Sequence, residues 1–345
     1  MKAYYHQQGI HTVPSPLSLI HDIFFLVLIV FITFTTYVRN GVWEKSLFLW
    51  HDVVKKSPGK ARSHTGLGMA YFEQGWNDEA VAEYLTALRL NPDFGEAHFN
   101  LGIAYAKQGR ASEALREYGI ASRYGFLHAR AQSNIGNIFD EKGQVDEAIE
   151  SYLAAIRQSP GNPAAHYNLG NVYFKQGRLD EALQEFRTAL RHNPDYAEAH
   201  NNLGNLYLAQ GLLDDAADEY RAALKLDPSL EKTHYNLGNI YSKQGRLDEA
   251  FQEYRTALKF NPDNAEAHNN LGSVYFIQQR FDEAIEEYRT ALTLKPDFVE
   301  AHINIGNAYK KEGLMDKARE EFEIALKLRP GFTPAQKAIR AIDNE

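Results

Sequence analysis

The sequence predicts an all-α solenoid of antiparallel helix pairs preceded by a hydrophobic N-terminal helix, and three observations carry that reading. Prolines stand at 58, 92, 160, 194, 228, 262, 296 and 330, every interval being 34 residues or twice 34. Within each period, apolar and small residues recur at helical spacing in two blocks. Upstream, Ile23 to Val38 (IFFLVLIVFITFTTYV) carries no charge. Strict self-similarity at such a period marks a stack in which each repeat buries its apolar face against its neighbours. A single elongated domain is therefore expected, although 345 residues would ordinarily suggest about two.

The elements follow in order. Residues 1–16 form a polar tail, and residues 17–39 a hydrophobic helix expected to anchor the chain in a membrane. The run is aromatic and β-branched all round with no polar face, as lipid requires. A span needs about 20 apolar residues, a length reached here only by including His21 and Asp22 near the interface; the other reading is a buried helix covering the first repeat. A cleaved leader is disfavoured, since only Lys2 precedes the run and no small-residue cleavage site follows it. Residues 40–60 contain WEKSLFLWHDVVKKS, an isolated second helix with Trp50 and Val53 in the packing positions.

Eight repeats then run without insertion: 61–94, 95–128, 129–162, 163–196, 197–230, 231–264, 265–298 and 299–332. In AEAHNNLGNLYLAQGLLDDAADEYRAALKLDPSL, Ala199, Leu203, Leu206 and Tyr207 share one face of the first helix. Gly211 ends that helix in the left-handed conformation; Gln279 replaces this glycine in one repeat, at a cost of about 1 kcal/mol if the geometry is kept. The second helix is expected to start at Asp214, whose carboxylate would cap it, as would Asp78, Asp146, Asp180, Asp248, Asp282, Asp316 and Ser112. Gly204 and its equivalents at 68, 102, 136, 170, 238, 272 and 306 mark close helix approach, and Pro228 ends the repeat. Phe126 stands where a proline is missing; with Gly125 beside it, the Arg123–Leu127 turn is expected to deform more readily than the others. Residues 333–345 form a lone first helix in which Arg340 replaces the close-packing glycine, so the array is expected to be capped with no catalytic domain after it.

These residues (Leu203, Gly204, Tyr207, Ala216, Tyr220, Ala223 and Pro228 in the fifth repeat) resemble the tetratricopeptide repeat. The resemblance implies a right-handed superhelix whose first helices line a concave face. Units reading AEAHNNLGN further resemble the repeat arm of O-linked N-acetylglucosamine transferase, where an asparagine ladder receives protein substrates. No transferase domain is expected beside the repeats, so that activity is not expected to carry over.

Composition narrows the function. A net charge of −8, with basic residues scattered among acidic ones, argues against nucleic acid, and the absence of cysteine removes disulfides and thiolate chemistry. Histidine recurs at 64, 98, 166, 200, 234, 268 and 302. Equivalent residues of stacked helices lie on the order of 10 Å apart, too far to converge on one metal, so packing at the helix interface is expected. No phosphate loop or nucleophile elbow appears. The chain reads as non-enzymatic, with no cofactor, metal or small-molecule substrate.

Two asparagine rows are the candidate binding residues: Asn100, Asn134, Asn168, Asn202, Asn236, Asn270 and Asn304, with Asn137, Asn171, Asn205, Asn239 and Asn307 three residues after their partners. Helix interiors do not favour asparagine, and an amide both donates and accepts, so such rows either hold the main chain of an extended peptide or bond to neighbouring helices. Candidate groove aromatics are Phe99, Tyr167 and Tyr235, alternating with Thr65, Ser133, Asn201 and Asn269, and Phe72, Phe174 and Phe276 one turn on; inter-repeat packing is the other reading. The clamp of chaperone-binding members is missing, its positions holding Thr65, Phe99, Asn134 and Asn168.

The expected function is a membrane-anchored, bacterial-type scaffold that binds proteins or extended peptides in its concave face. The stretch from Trp43 through Arg62 also resembles the junction after the last span of membrane glycosyltransferases that carry such repeats. That leaves an accessory arm of a glycosylation system as an alternative and a self-assembling solenoid as a disfavoured third. Arg39, Lys45, Lys55 and Lys56 outweigh Lys2 and place the repeats in the cytoplasm, whereas the transferase resemblance places them outside.

Overall fold

The computed structural model describes residues 46–125 and 127–343. The tail 1–16, the hydrophobic segment 17–39, residues 40–45, Phe126 and the last two residues lie outside the described residues. No helix among those described is long and apolar enough to cross a membrane.

All described elements are helical. The first, α1, covers residues 46–56. First helices of the repeats are α2 (Ala61–Glu73), α4 (Gly95–Lys107), α6 (His128–Glu141), α8 (Pro163–Lys175), α10 (Ala197–Ala209), α12 (Glu231–Lys243), α14 (Ala265–Ile277) and α16 (Val299–Lys311). The second helices are α3 (Asn77–Leu90), α5 (Ala111–Arg123), α7 (Val145–Gln158), α9 (Leu179–His192), α11 (Leu213–Leu226), α13 (Leu247–Phe260), α15 (Phe281–Leu294) and α17 (Met315–Leu328), and α18 (Thr333–Asp343) follows. Where the period alone counts one domain, the chain divides into two compact units, Met1–Gln144 and Val145–Glu345, the division falling between α6 and α7 of the third repeat.

In the first unit, Trp50 of α1 lies against Gly66, where a Cβ would come within 2.4 Å of its ring, so α1 packs on α2. Tyr84, Leu101, Tyr105 and Tyr118 fill the core behind it. In the second unit, Tyr220, Tyr254, Tyr288, Phe186 and Phe322 are almost fully buried on the second helices. Each of these rings faces the close-approach glycine of its own repeat. A Cβ at Gly170, Gly204, Gly238, Gly272 or Gly306 would sit 2.5 to 2.8 Å from ring carbons, which is why only glycine fits. At the end, Ala338, Ile339 and Ile342 of α18 pack on the core formed by α15–α17, while Arg340 is exposed.

Two local expectations meet different outcomes. Gln279 keeps the left-handed turn at φ 62 and its N–H bonds the Phe276 carbonyl at 3.0 Å, so the glycine geometry survives without glycine. The capping role of the aspartates is corrected. The second helices begin one residue earlier, α11 at Leu213 behind Leu212, which offers no side-chain cap. Asp214 stands inside the first turn, where its charge complements the helix dipole and accepts from Gln244 Nε2 at 2.8 Å. Asp78 receives Gln108 in the same way at 2.9 Å. Around residue 126, Gly125 (φ 71) and Leu127 (φ 44) both adopt left-handed backbone, and Leu127 stands before the first residue of α6.

Candidate functional site

The histidines are spent on structure. Nδ1 donates to a glutamate of the second helix at 2.5 to 2.6 Å in seven repeats: His64–Glu83, His98–Glu117, His166–Glu185, His200–Glu219, His234–Glu253, His268–Glu287 and His302–Glu321. In the first six of these, Nε2 donates to the carbonyl of the preceding proline at 2.8 to 3.1 Å. Both ring nitrogens therefore face acceptors, and the two bonds form together only when the ring is doubly protonated. For His98, burial pulls the pKa down, but the Glu117 bond, the Pro92 carbonyl and the Glu117 charge outweigh it and hold it above the ordinary value. His234 is raised by the same balance, with Glu253 and Pro228. At His268 the Glu287 bond itself leads. In the third repeat, Gln132 and Ser151 take the two positions; Gln132 donates to Ser122 and Ser151 to the Glu147 carbonyl.

The asparagines are half-buried on the first helices. In the second unit they join successive repeats. Asn202 Nδ2 donates to Asn171 Oδ1 at 2.7 Å, Asn236 to Asn205 at 3.2 Å and Asn270 to Asn239 at 2.8 Å, each across 31 residues and always backward along the chain. Two of the receiving oxygens take a second bond from the buried tyrosine of their own repeat, Tyr220 to Asn205 at 2.7 Å and Tyr254 to Asn239 at 2.8 Å, whereas the repeat of Asn171 has Phe186 in that place. Burial holds both phenol pKa values well above the ordinary tyrosine range, so these hydroxyls stay donors. Asn304 continues the line by donating to Asn269 Oδ1 at 2.9 Å. In the first unit, burial pushes Tyr118 up to about 12 with its hydroxyl beside Asn134. The row opens at Asn100 because Gly66, its equivalent in the first repeat, is covered by Trp50.

Bonding to neighbouring helices thus accounts for the oxygens of Asn171, Asn205 and Asn239. Several amide nitrogens are left over. Asn239 Nδ2 meets no acceptor among the described residues, whereas both oxygen positions of that side chain are filled. Asn307 shares the half-buried face. Asn137 lines a pocket of 460 Å³ with Phe72, Lys107 and Arg130, and Asn239 one of 410 Å³ with Leu208, Lys243 and Tyr254.

The aromatics divide. Phe99 is 3% exposed and packs on Tyr118 at 5.7 Å between ring centroids, so it belongs to the core and is removed from the groove set. Tyr167 and Tyr235 accept from Asn202 (3.0 Å) and Asn270 (3.3 Å), which makes them links between repeats. Phe72 lies under Lys107 Nζ at 4.7 Å, Phe276 beside Phe281 at 5.4 Å, and Phe174 is half-buried. Sequence reasoning missed the tyrosine hydroxyls and Thr233, whose Oγ1 donates to Asn201 at 2.7 Å.

Tetratricopeptide-repeat family models match residues 68–109, 136–177, 167–231, 219–252, 238–278, 272–313 and 299–332. The chain belongs to the tetratricopeptide repeat (TPR) family. Among solved TPR folds, it is similar to YrrB, a TPR protein with an unusual peptide-binding site (TM-score 0.53, 23% identity, covering 56% of this chain and 100% of that one). It is also similar to the APC/C hetero-tetramer Cut9–Hcn1 (TM-score 0.57, 21% identity, 68% of this chain and 46% of that one). PilF of Pseudomonas aeruginosa matches at TM-score 0.54 and 19% identity over 62% of this chain and 96% of its own. At these identities the likeness is one of fold. No curated protein sequence matches the chain.

Proposed function

We propose that this TPR array is a scaffold that holds an extended segment of a partner protein along its first helices. The observation that carries this reading is the leftover donor capacity of the amide rows: the Asn239 oxygen is occupied from within the fold while its nitrogen is not. A line of amide donors suits peptide carbonyls, which recur along any extended chain whatever its side chains. That YrrB carries a peptide-binding site on a similar fold supports the reading.

Hydrogen–deuterium exchange on the full chain, with and without 12-residue peptides selected from a random display library, tests it. Binding should slow exchange in α12 and α14 and leave α11 and α13 unchanged. Protection confined to the second helices, or a library that yields no binder, would remove the proposal.

We further infer that residues 17–39 attach the array to a membrane. The support is the uncharged run Ile23 to Val38 together with α1, which exposes Phe48 (77%) and Leu49 (57%) close to its start. The full chain should sediment with membranes and a chain lacking 17–39 should not; a soluble full-length protein would refute the anchor.

A further inference from the structure

The first helices carry a second period that narrows what they hold, an inference that rests on the scaffold reading above. α4, α8, α12 and α16 end in Lys107, Lys175, Lys243 and Lys311, whereas α2, α6, α10 and α14 end in Glu73, Glu141, Ala209 and Ile277. The same lysine-bearing helices hold Phe99, Tyr167, Tyr235 and Ile303 where the others hold Thr65, Ser133, Asn201 and Asn269. The backbone thus repeats every 34 residues and these two positions every 68, the lysines exposed and Phe99 in the core. A cation complements the dipole at the end of any helix, so dipole stabilisation alone would not confine lysine to alternate ones.

Two pockets lie on equivalent positions four repeats apart. In the second unit, Leu208 forms an apolar wall, Tyr254 the floor, and Asn239 and Lys243 the polar side. In the first unit, Phe72, Tyr118 and Lys107 take the corresponding places, with Arg130 adding a second cation. Each pocket is therefore centred on a lysine-bearing helix.

Near the two lysines of α12 and α16, the acidic groups at the starts of α14 and α16 already have partners. Glu266 and Glu300, near the starts of α14 and α16, are paired with Lys295 at 2.9 Å and Arg329 at 3.0 Å. Lys243 and Lys311 make no ion pair among the described residues and are exposed. Beside Lys243 stands the Asn239 Nδ2 donor. An occupant of the α12 site must therefore supply acceptors to Lys243 and to Asn239 Nδ2.

We propose that the first-helix face binds an acidic extended peptide of a partner protein, with one carboxylate opposite Lys243 and the next opposite Lys311. Neighbouring packed helices lie about 8–10 Å apart, so lysines two repeats apart are separated by roughly 20 Å, or about six residues of extended chain. The chain's net charge of −8 opposes an acidic ligand at long range, so recognition depends on this local match.

Fluorescence anisotropy on the full chain tests this with labelled 12-residue synthetic peptides on a Ser-Thr-Val background. One carries two glutamates six residues apart, one carries them three apart, and a third replaces them with glutamine. The six-residue spacing should bind at least about tenfold tighter than its isomer of equal charge. The pair Lys243→Glu and Lys311→Glu, both exposed and therefore compatible with folding, should abolish that preference and favour a lysine version of the peptide. Lys259→Glu on α13 should change nothing. Equal affinity for the two spacings, or equal loss in the Lys259→Glu variant, would overturn the proposal. A glutamine peptide that binds as well as the glutamate peptide would overturn the acidic specificity and leave the scaffold reading standing; failure of all three peptides would count against both.

Discussion

Replacing Tyr254 with alanine is expected to lower the stability of its repeat by roughly 3–5 kcal/mol, the range for emptying a buried aromatic site. The ring is 1% exposed, and its edge fills the space that glycine leaves at 238, where a Cβ would lie 2.8 Å away. Because α12 and α13 approach so closely, neither can relax into the cavity without breaking the packing of the repeats on either side. The hydroxyl contributes separately through its 2.8 Å bond to Asn239. Tyr254→Phe keeps the ring and should cost only about 1 kcal/mol. Repeat arrays open locally, so native-state hydrogen exchange of α12 and α13 is the appropriate measurement. If phenylalanine proved as damaging as alanine, the amide network and not the ring would be what holds the repeat together.

Glu117→Ala should be comparably severe. The carboxylate is 4% exposed and is shared by His98, whose own side chain is 9% exposed, and by Arg116 at 2.7 Å. Removing one member of a buried pair costs about 3–5 kcal/mol because the other is left uncompensated. The pairing also fixes how stability changes with pH. His98, His234 and His268 have folded pKa values above their unfolded value of about 6.5, so between the two values the folded chain holds more protons than the unfolded one. Their contribution is complete below about 6.5 and is lost as pH rises through the raised folded values. Glu117 behaves oppositely: burial acts to raise its pKa, but the bonds to His98 and Arg116 prevail and lower it. Its contribution is present above about 4.3 and is lost as pH falls through the lowered value. Chemical denaturation from pH 4 to 9 should therefore show greatest stability between about pH 5 and 6.5, with a decline on the alkaline side that is smaller in Glu117→Ala. A curve flat from 6 to 9 would mean that folding does not raise the histidine pKa values.

The scaffold of the fold was legible because proline, glycine and alanine act locally: each terminates a helix, fixes a turn or permits a close approach at its own position. The histidine–glutamate pairs were harder to see, since they join residues 19 apart on different helices. A signal for them does exist in the chain. The one repeat with Gln132 in place of histidine is also the one with Ser151 in place of glutamate. The asparagine rows were visible, but the direction of their bonds was not, because an amide can be used either way round and only the buried tyrosine hydroxyls decide which end faces inward. The aspartate caps failed for a related reason. An acidic residue suits both the cap and the first turn, and composition alone does not separate positions one residue apart.

The alternation of large and polar residues along the first helices gives the array a parity. Removing residues 197–264 would set Asn270 against Tyr167, the partner that Asn202 has now, and the new seam would keep that contact. Removing 197–230 alone would bring Tyr235 up to Tyr167 and leave Thr233 without Asn201. The 34-residue repeat is thus the unit of folding, but the heritable module, the smallest length by which such a chain can grow or shrink without a mismatched seam, is the pair.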